Sequence, residues 1–262
     1  MISISILQAY LRHSAEQQYE SVPVPHFTLF FHPIDNLTYF NYAIPLAPDI
    51  RDPEGSLALL RTEFTKRNRT PRFEFIEEFA PLLPEVLRKA GFIEEARQQL
   101  MVCQAETYQP APETTELQIT ELTNESEVSA LQDFMSIQKN GFNPQDQGVV
   151  TPTEADHFRR MLGAGRAFLA QREGQTIGVG MFTAPFDAIS EVVGLATLEP
   201  FRRRGIATAL TDRAVKRAME QGARVVCLTA ADVQAGRVYE KIGFCKYATM
   251  LAYIEKSIFR QD

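Results

Sequence analysis

The 262-residue sequence predicts an α/β fold arranged as two similar domains, residues 1–112 and 113–262. Three observations predict it. Short β-favouring runs alternate with segments of helical periodicity along the chain. A sharp basic turn joins one such strand to one such helix within Glu191 to Thr208. The two halves also repeat one another at a fixed offset.

Composition sets the bounds. Apolar residues make up 45%, ordinary for a globular chain. The net charge of −6 carries no general nucleic-acid footprint. Residues 1–115 hold 10 Lys and Arg against 15 Asp and Glu, whereas 116–262 hold 17 against 18. Three scattered cysteines, Cys103, Cys227 and Cys245, and four scattered histidines give neither a disulfide framework nor a metal-ligand spacing, so no metal is expected. The N-terminal run has no basic segment before it, and no apolar stretch is long enough to span a bilayer. A cytoplasmic protein without a membrane partner is expected, and nothing in the sequence excludes a homodimer.

The elements follow in order. Ile2, Ile6, Leu7, Tyr10 and Leu11 lie at helical spacing, giving a helix within 1–20. Strands are expected at 22–33, 38–46, 72–76 and 99–103, and helices at 55–67 and 81–90, the latter closed by Gly91. Gln104 to Glu116 is rich in Pro and Thr and poor in large aliphatic residues, so it reads as a linker. The second half begins with a strand at 117–122 and a helix from Asn124 to about Lys139. A polar loop covers 141–150, and Thr153 is the candidate cap of a helix ending at Leu162. A hairpin turns at Glu173-Gly174, joining 167–172 to 176–183. A buried strand at 224–230, a helix at 235–241 and a strand at 246–254 complete the chain.

An offset of 152 positions carries Gly91-Phe92 onto Gly243-Phe244, without a gap. The same offset superposes Phe30 on Phe182, Pro33 on Pro185, Pro48 on Pro200, Arg72 on Arg224 and Lys89 on Lys241. One register held over such a span, with matching element order, is the mark of an internal duplication. The copies differ where chemistry is expected. Tyr39 stands opposite Glu191, Leu87 opposite Tyr239, and Ile50-Arg51-Asp52-Pro53 opposite Arg202-Arg203-Arg204-Gly205.

That last tetrapeptide lies on the stretch around which the second half is organised. An apolar strand from Glu191 stops before Pro200, turns through Arg202 to Gly205, and enters a helix at Ile206. Ile206, Leu210, Ala214, Val215 and Ala218 then repeat at helical spacing. A helix start aims unpaired N–H groups and partial positive charge at one spot, which suits a phosphate or pyrophosphate. Gly205 permits close backbone approach, and Ala207 keeps the floor small.

These residues resemble a known family. Arg202-x-x-Gly205-x-Ala207 is similar to the Q/R-x-x-G-x-G/A signature of the GNAT N-acetyltransferases. Asp232-x-x-Ala235-x-x-Val238-Tyr239-x-Lys241-x-Gly243-Phe244 resembles that family's N-x-x-A-x-x-L-Y-x-K-x-G-F. The resemblance covers roughly Leu117 to Ile254, and the first half resembles a degenerate GNAT domain, as in tandem members. It implies two GNAT-like domains, each a mixed twisted sheet flanked by helices. It also implies acetyl-CoA as co-substrate, with the pyrophosphate on the amides of Arg203, Arg204, Gly205, Ile206, Ala207 and Thr208. The pantetheine chain would pair with Ala196, Thr197 and Leu198. Asp232 stands where many members have Asn, and its carboxylate would accept a pantetheine N–H. Some amino-terminal acetyltransferases carry a Glu five residues before that Asn, where this chain has Cys227.

Acetyl transfer to an amine needs a base, because alkylamines have pKa values near ~10. Glu191 is the candidate; it lies 11 residues before Arg202, a spacing at which histone-type members carry their base. Tyr239 occupies the family's general-acid position and would protonate the departing thiolate. Arg202, Arg203 and Arg204 could reach the CoA 3′-phosphate. Phe134, Phe142 and Phe158 are assigned to the core, and Asp133 and Asp187 read as ordinary surface acids. The expected activity is acetyl-CoA-dependent N-acetylation of a small primary amine by direct attack in a ternary complex. The alternatives are a peptide or protein amine as acceptor, or a non-catalytic module that binds CoA or a partner.

Overall fold

The computed structural model describes residues 2–33, 35–50, 53–112, 116–145 and 148–256. Within them the chain folds as a mixed α/β protein with seven α-helices, and it divides into two compact units. One unit is residues 1–100 together with the chain from Ala248 onward; the other is 101–247. This division differs from the expected one at 112/113.

In the first unit, helix α1 (Ile4–Gln18) starts at Ser3, whose hydroxyl accepts from the Ile6 amide at 3.2 Å. The single strand expected at 22–33 is a hairpin of β1 (Glu20–Val24) and β2 (Phe27–Phe31). His26, at φ 70°, makes the reversal between them. Only the end of the expected 38–46 strand is extended, as β3 (Tyr42–Pro45); Thr38–Phe40 form a 3-10 turn instead. The buried Asn41 amide donates to the Leu37 and Asp35 carbonyls and its oxygen accepts from the His32 amide, fixing that turn. Helix α2 (Pro53–Lys66), strand β4 (Arg72–Ile76), helix α3 (Leu83–Lys89) and strand β5 (Phe92–Gln104) follow. Arg51 and Asp52, compared above with the basic turn, lie outside the described residues.

In the second unit the order is β6 (Gln118–Leu122), α4 (Val128–Phe142), α5 (Pro152–Leu162), β7 (Arg166–Arg172), β8 (Gln175–Phe182) and β9 (Ile189–Thr197). Then come α6 (Ile206–Glu220), β10 (Val225–Ala230), α7 (Val233–Glu240) and β11 (Cys245–Glu255). Helix α5 is capped by Thr151 rather than Thr153. The Thr151 hydroxyl accepts from the Glu154 amide, and the Glu154 carboxylate accepts from the Thr151 amide, a reciprocal capping box. The element series α-β-β-β-α-β-α-β therefore occurs twice, as α1 to β5 and as α5 to β11. Gly91 and Gly243, the matched glycines, both hold positive φ, 90° and 97°.

Strand pairing explains where the units divide. The first unit's sheet runs β1-β2-β3-β4-β11-β5, and the end of β11 pairs antiparallel with β4 from Met250↔Ile76 to Ile254↔Arg72. The second unit's sheet runs β5-β10-β9-β8-β7-β6. The first unit's sheet thus takes in a strand segment from outside its contiguous run. Leu251 and Tyr253, both fully buried, lie in the first unit's core with Phe27, Phe73 and Phe75. The described part of the expected linker is tied to the second unit: the Tyr108 hydroxyl and the Ala111 amide both donate to Asp212 Oδ1, at 2.7 and 3.0 Å.

The second unit has two cores because strand side chains alternate between faces. Ala167, Leu169 and Val179 pack with α4 and α5, whereas Phe168, Ala170 and Ile177 pack with α6. Phe134 and Phe158 stack at 5.0 Å in the first of these cores. Phe142 is not core: it ends α4 and is 66% exposed. Among the described residues no helix is long and apolar enough to cross a membrane.

Candidate functional site

The basic turn forms as the sequence suggests, and its stereochemistry is unusual. Arg203 holds φ 62° and Gly205 φ 79°, two left-handed residues within three positions. Gly205 is the residue before α6 and caps it without any side-chain hydrogen bond. The first α-helical bond runs from the Ala209 amide to the Gly205 carbonyl at 3.0 Å, so the amides of Ile206, Ala207 and Thr208 have no partner in the preceding turns of the helix. A Cβ on Gly205 would meet no protein atom within 4 Å. The space above the turn is therefore open, and glycine is required there by φ.

The three arginines divide their roles. Arg202 is anchored to the protein: its guanidinium donates to the Thr197 carbonyl at 3.1 Å and to the Gly141 carbonyl at 2.9 Å. Arg203 and Arg204 are exposed, and the Arg204 guanidinium lies 5.6 Å from the Phe201 ring centre. Beside the turn is a recess of about 340 Å³ lined by Ala111, Arg172, Arg204, Gly205 and Lys241 among others. Arg172, Arg204 and Lys241 share the lining with Glu116, whose carboxylate pairs with Arg172 at 3.3 Å, and the net positive charge that remains reinforces the helix start's preference for anions. Arg172 and Lys241 were not singled out in the sequence, because they come from the β7–β8 hairpin and the end of α7.

The strand leading into the turn is irregular in a consequential way. β9 runs parallel to β10 only from Ile189↔Val225 to Glu191↔Cys227. Beyond Glu191 its β10-side edge has no partner in that register, although β9 continues to Thr197. The other edge is paired with β8, as Phe182↔Val192 and Met181↔Val193, then Val179↔Ala196 and Gly178↔Thr197. One residue of β8, Gly180, faces two of β9, Gly194 and Leu195, across that break, so β9 carries a bulge, with Gly194 at φ 65°.

Register then decides which backbone groups face the open edge. The Leu198 amide donates to the Ile177 carbonyl at 3.0 Å, and the Leu198 carbonyl accepts from the Phe201 amide at 2.9 Å. Both its groups are thus bonded within the protein. Alternation from that bond puts Ala196 in the next hydrogen-bonded pair with β8, so its groups also turn toward β8. Thr197 and Leu195 face the opposite edge. Of the three expected positions only Thr197 does so, and Leu195 was missed. An isolated Gly within a strand pattern is a bulge signal, and Gly194 carried it.

Glu191 sits at the last β9–β10 pair, where the strands part, with its side chain half-buried. Its amide donates to Thr183 Oγ1 at 3.0 Å. Cys227, opposite it, is fully buried, and burial together with the Glu191 charge pushes its thiol well above the ordinary range. Asp232 caps α7, accepting from the Ala235 amide at 2.8 Å. The capping bond uses Oδ1. Tyr239 lies on α7 edge-on to Phe244, ring centres 6.1 Å apart. Tyr239 and Leu195 both pack against the α6-side core. Burial, with a smaller contribution from Asp232, raises the Tyr239 phenol above its ordinary pKa and keeps its proton in place.

Comparisons with known proteins agree with this geometry. The sequence model described as "Acetyltransferase (GNAT) family" matches residues 131–244. A search of curated proteins found no match. Among solved structures, a GCN5-related N-acetyltransferase from Kribbella flavida superposes with a TM-score of 0.80 at 21% identity, covering 98% of this chain and 97% of that one. A tandem GNAT protein from the clavulanic acid biosynthesis pathway gives 0.64 at 14% identity, covering 87% and 77%. A GCN5-related N-acetyltransferase from Sphaerobacter thermophilus gives 0.59 at 15%, covering 87% and 76%. At these identities the likeness is one of fold, and it extends over both units. Residues 131–244, which hold the bulged strand, the basic turn and Tyr239, match the GNAT acetyltransferase family model, and they lie in a chain of GNAT fold.

Proposed function

We propose that the second unit is an acetyl-CoA-dependent N-acetyltransferase that acetylates a small primary amine by direct attack in a ternary complex. The observation that carries this reading is the open edge of β9 leading straight into the unpaired amides of α6. A pantetheine chain has amides that pair with a strand edge, and a pyrophosphate has oxygens that suit a helix start. Both needs are met in the right order along one stretch of backbone, so the residues fit the co-substrate. Leu195 and Thr197 would hold the pantetheine. Arg203 to Thr208 would hold the pyrophosphate, and Arg172, Arg204 and Lys241 the remaining phosphate.

Acetyl-CoA supplies an activated thioester carbonyl. In the transfer the amine nitrogen bonds to the acetyl carbon as the carbon–sulfur bond breaks. Glu191 takes the amine proton, directly or through water, which its place at the parting of the strands supports. Tyr239 gives a proton to the departing sulfur; a phenol held protonated by burial suits that role. Asp232 acts as the cap of α7 and holds Tyr239's helix in place. The test is release of CoA thiol, followed with a thiol-reactive dye, when purified protein and acetyl-CoA meet a panel of primary amines. Acetyl-CoA turnover that no amine accelerates would overturn the reading.

A further inference from the structure

Where β8 ends, its ladder with β9 exchanges a side chain for backbone. Phe182↔Val192 is the terminal pair of the two strands, and Thr183 lies just beyond it, across from Glu191. In an ordinary hydrogen-bonded pair the two residues trade both N–H···O=C bonds. One of these is present, from the Thr183 amide to the Glu191 carbonyl at 2.9 Å. The other is replaced. The Glu191 amide donates at 3.0 Å to the Thr183 hydroxyl rather than to the Thr183 carbonyl. That carbonyl accepts instead from the Ser190 hydroxyl at 2.8 Å, and Ser190 is fully buried.

One residue therefore holds both peptides that flank the Glu191 Cα. The Thr183 hydroxyl holds the 190–191 peptide through the Glu191 N–H, and the Thr183 amide holds the 191–192 peptide through the Glu191 carbonyl. Each peptide is planar, so the two planes together set the direction of the Cα–Cβ bond between them. The carboxylate of Glu191 starts from that bond. Both backbone groups of Glu191 point toward β8 and away from β10, so the β10 pairing, which ends at this residue, cannot do the same work.

We propose that Thr183 is a positioning residue for acetyl transfer, aiming the Glu191 carboxylate at the amine by holding the two peptides beside it. This rests on the acetyl-transfer reading above, with Glu191 as the base. A base must lie within about 2.6–3.2 Å of the proton-bearing atom or reach it through one water, and a misplacement of about 1 Å costs up to roughly 10²-fold in rate. Thr183 acts through Glu191 and does not touch substrate.

Thr183→Val keeps the shape of the side chain and removes the hydroxyl, whereas Thr183→Ser keeps the hydroxyl. The valine variant should lose about tenfold or more in kcat, with affinity for free CoA within about twofold of wild type, and the serine variant should stay within about threefold of wild type in both. Thr183→Ala, which cannot overpack, should lose as much kcat as the valine variant. A double-mutant cycle then separates positioning from support of the fold. Thr183→Val combined with Glu191→Gln should turn over as fast as Glu191→Gln alone, because no base is left to misplace. Losses that multiply in the double variant would overturn the proposal. So would wild-type kcat without the hydroxyl, a serine variant as slow as the valine one, or a loss of CoA affinity as large as the loss in kcat. Wild-type kcat in Glu191→Gln would remove the base and the proposal with it, leaving the acetyltransferase reading intact. Acetyl-CoA turnover that no amine accelerates in the wild-type protein would sink the function itself.

Discussion

Leu251→Ala is the sharpest test of how this chain is assembled. Leu251 lies late in the sequence, yet it is fully buried in the core of the first unit, paired across from Phe75 on β4. Its truncation removes buried methyl groups from among Phe73, Phe75 and Tyr253, rigid aromatic neighbours that collapse poorly onto a void. Leucine-to-alanine changes at such sites cost about 2.7–5 kcal/mol, and ~3 kcal/mol corresponds to roughly a hundredfold change in an opening equilibrium. Amide hydrogen exchange read by mass spectrometry assigns that loss to segments. Peptides covering β2 and β4 should exchange about a hundredfold faster in the variant, at least as large an acceleration as in any peptide of 101–247. Unchanged protection in β2 and β4, with acceleration confined to 101–247, would refute the placement of the last strand in the first unit's core.

The remaining predictions concern the site. Tyr239→Phe should lower kcat at least tenfold with acetyl-CoA affinity nearly unchanged, because proton donation acts in the transition state; wild-type turnover would remove the acid assignment. Glu191→Gln should lose activity at neutral pH and recover as pH rises, since a neutral amine needs no base; a loss equal at every pH would make Glu191 a positioning or strand-supporting residue. Asp232→Asn retains a good helix cap but removes a negative charge that, after burial, helps hold the Tyr239 phenol high. The alkaline limb of kcat should therefore shift to lower pH, and an unmoved or raised limb would separate that limb from Tyr239. Calorimetry should give one acetyl-CoA per chain, and Gly205→Asp should weaken it at least a hundredfold while the protein stays folded at a lowered Tm, since the added side chain meets open space but strains a positive φ; tight binding in the variant would displace the pyrophosphate from this turn.

Much of the site was legible because it is local. The turn at Arg202 to Gly205 and the helix behind it follow from neighbouring residues, and both formed. What escaped depended on register or on distant partners. Ala196, Thr197 and Leu198 look equivalent in the sequence, and only the Gly194 bulge decides that Leu195 and Thr197 face the open edge. Arg202 looks like a third free arginine until the Gly141 carbonyl is brought beside it. The hairpin at His26 was hidden because Pro25-His26 lacks the glycine that usually marks a two-residue turn. The units divide within β5 and β11 rather than in the proline-rich segment, because Asp212 secures Tyr108 and Ala111. Composition cannot register such a bond.

The partnership of β4 with the end of β11 also sets a timetable for synthesis. The β4 edge emerges from the ribosome with residues 72–76, but its neighbour at 250–254 follows only after the whole second unit has been translated. At about 5–20 residues per second, roughly 10–40 s separate the two. Throughout that interval the nascent first unit carries an unpaired strand edge and an incomplete aromatic core, both competent to pair with another chain. The second unit, which ends at residue 247, is fully translated before that wait ends. Folding yield in cells should therefore respond to translation speed and to chaperones that shield strand edges. Substitutions near the C-terminus should be felt first as lost soluble protein, before any change in catalysis is measured.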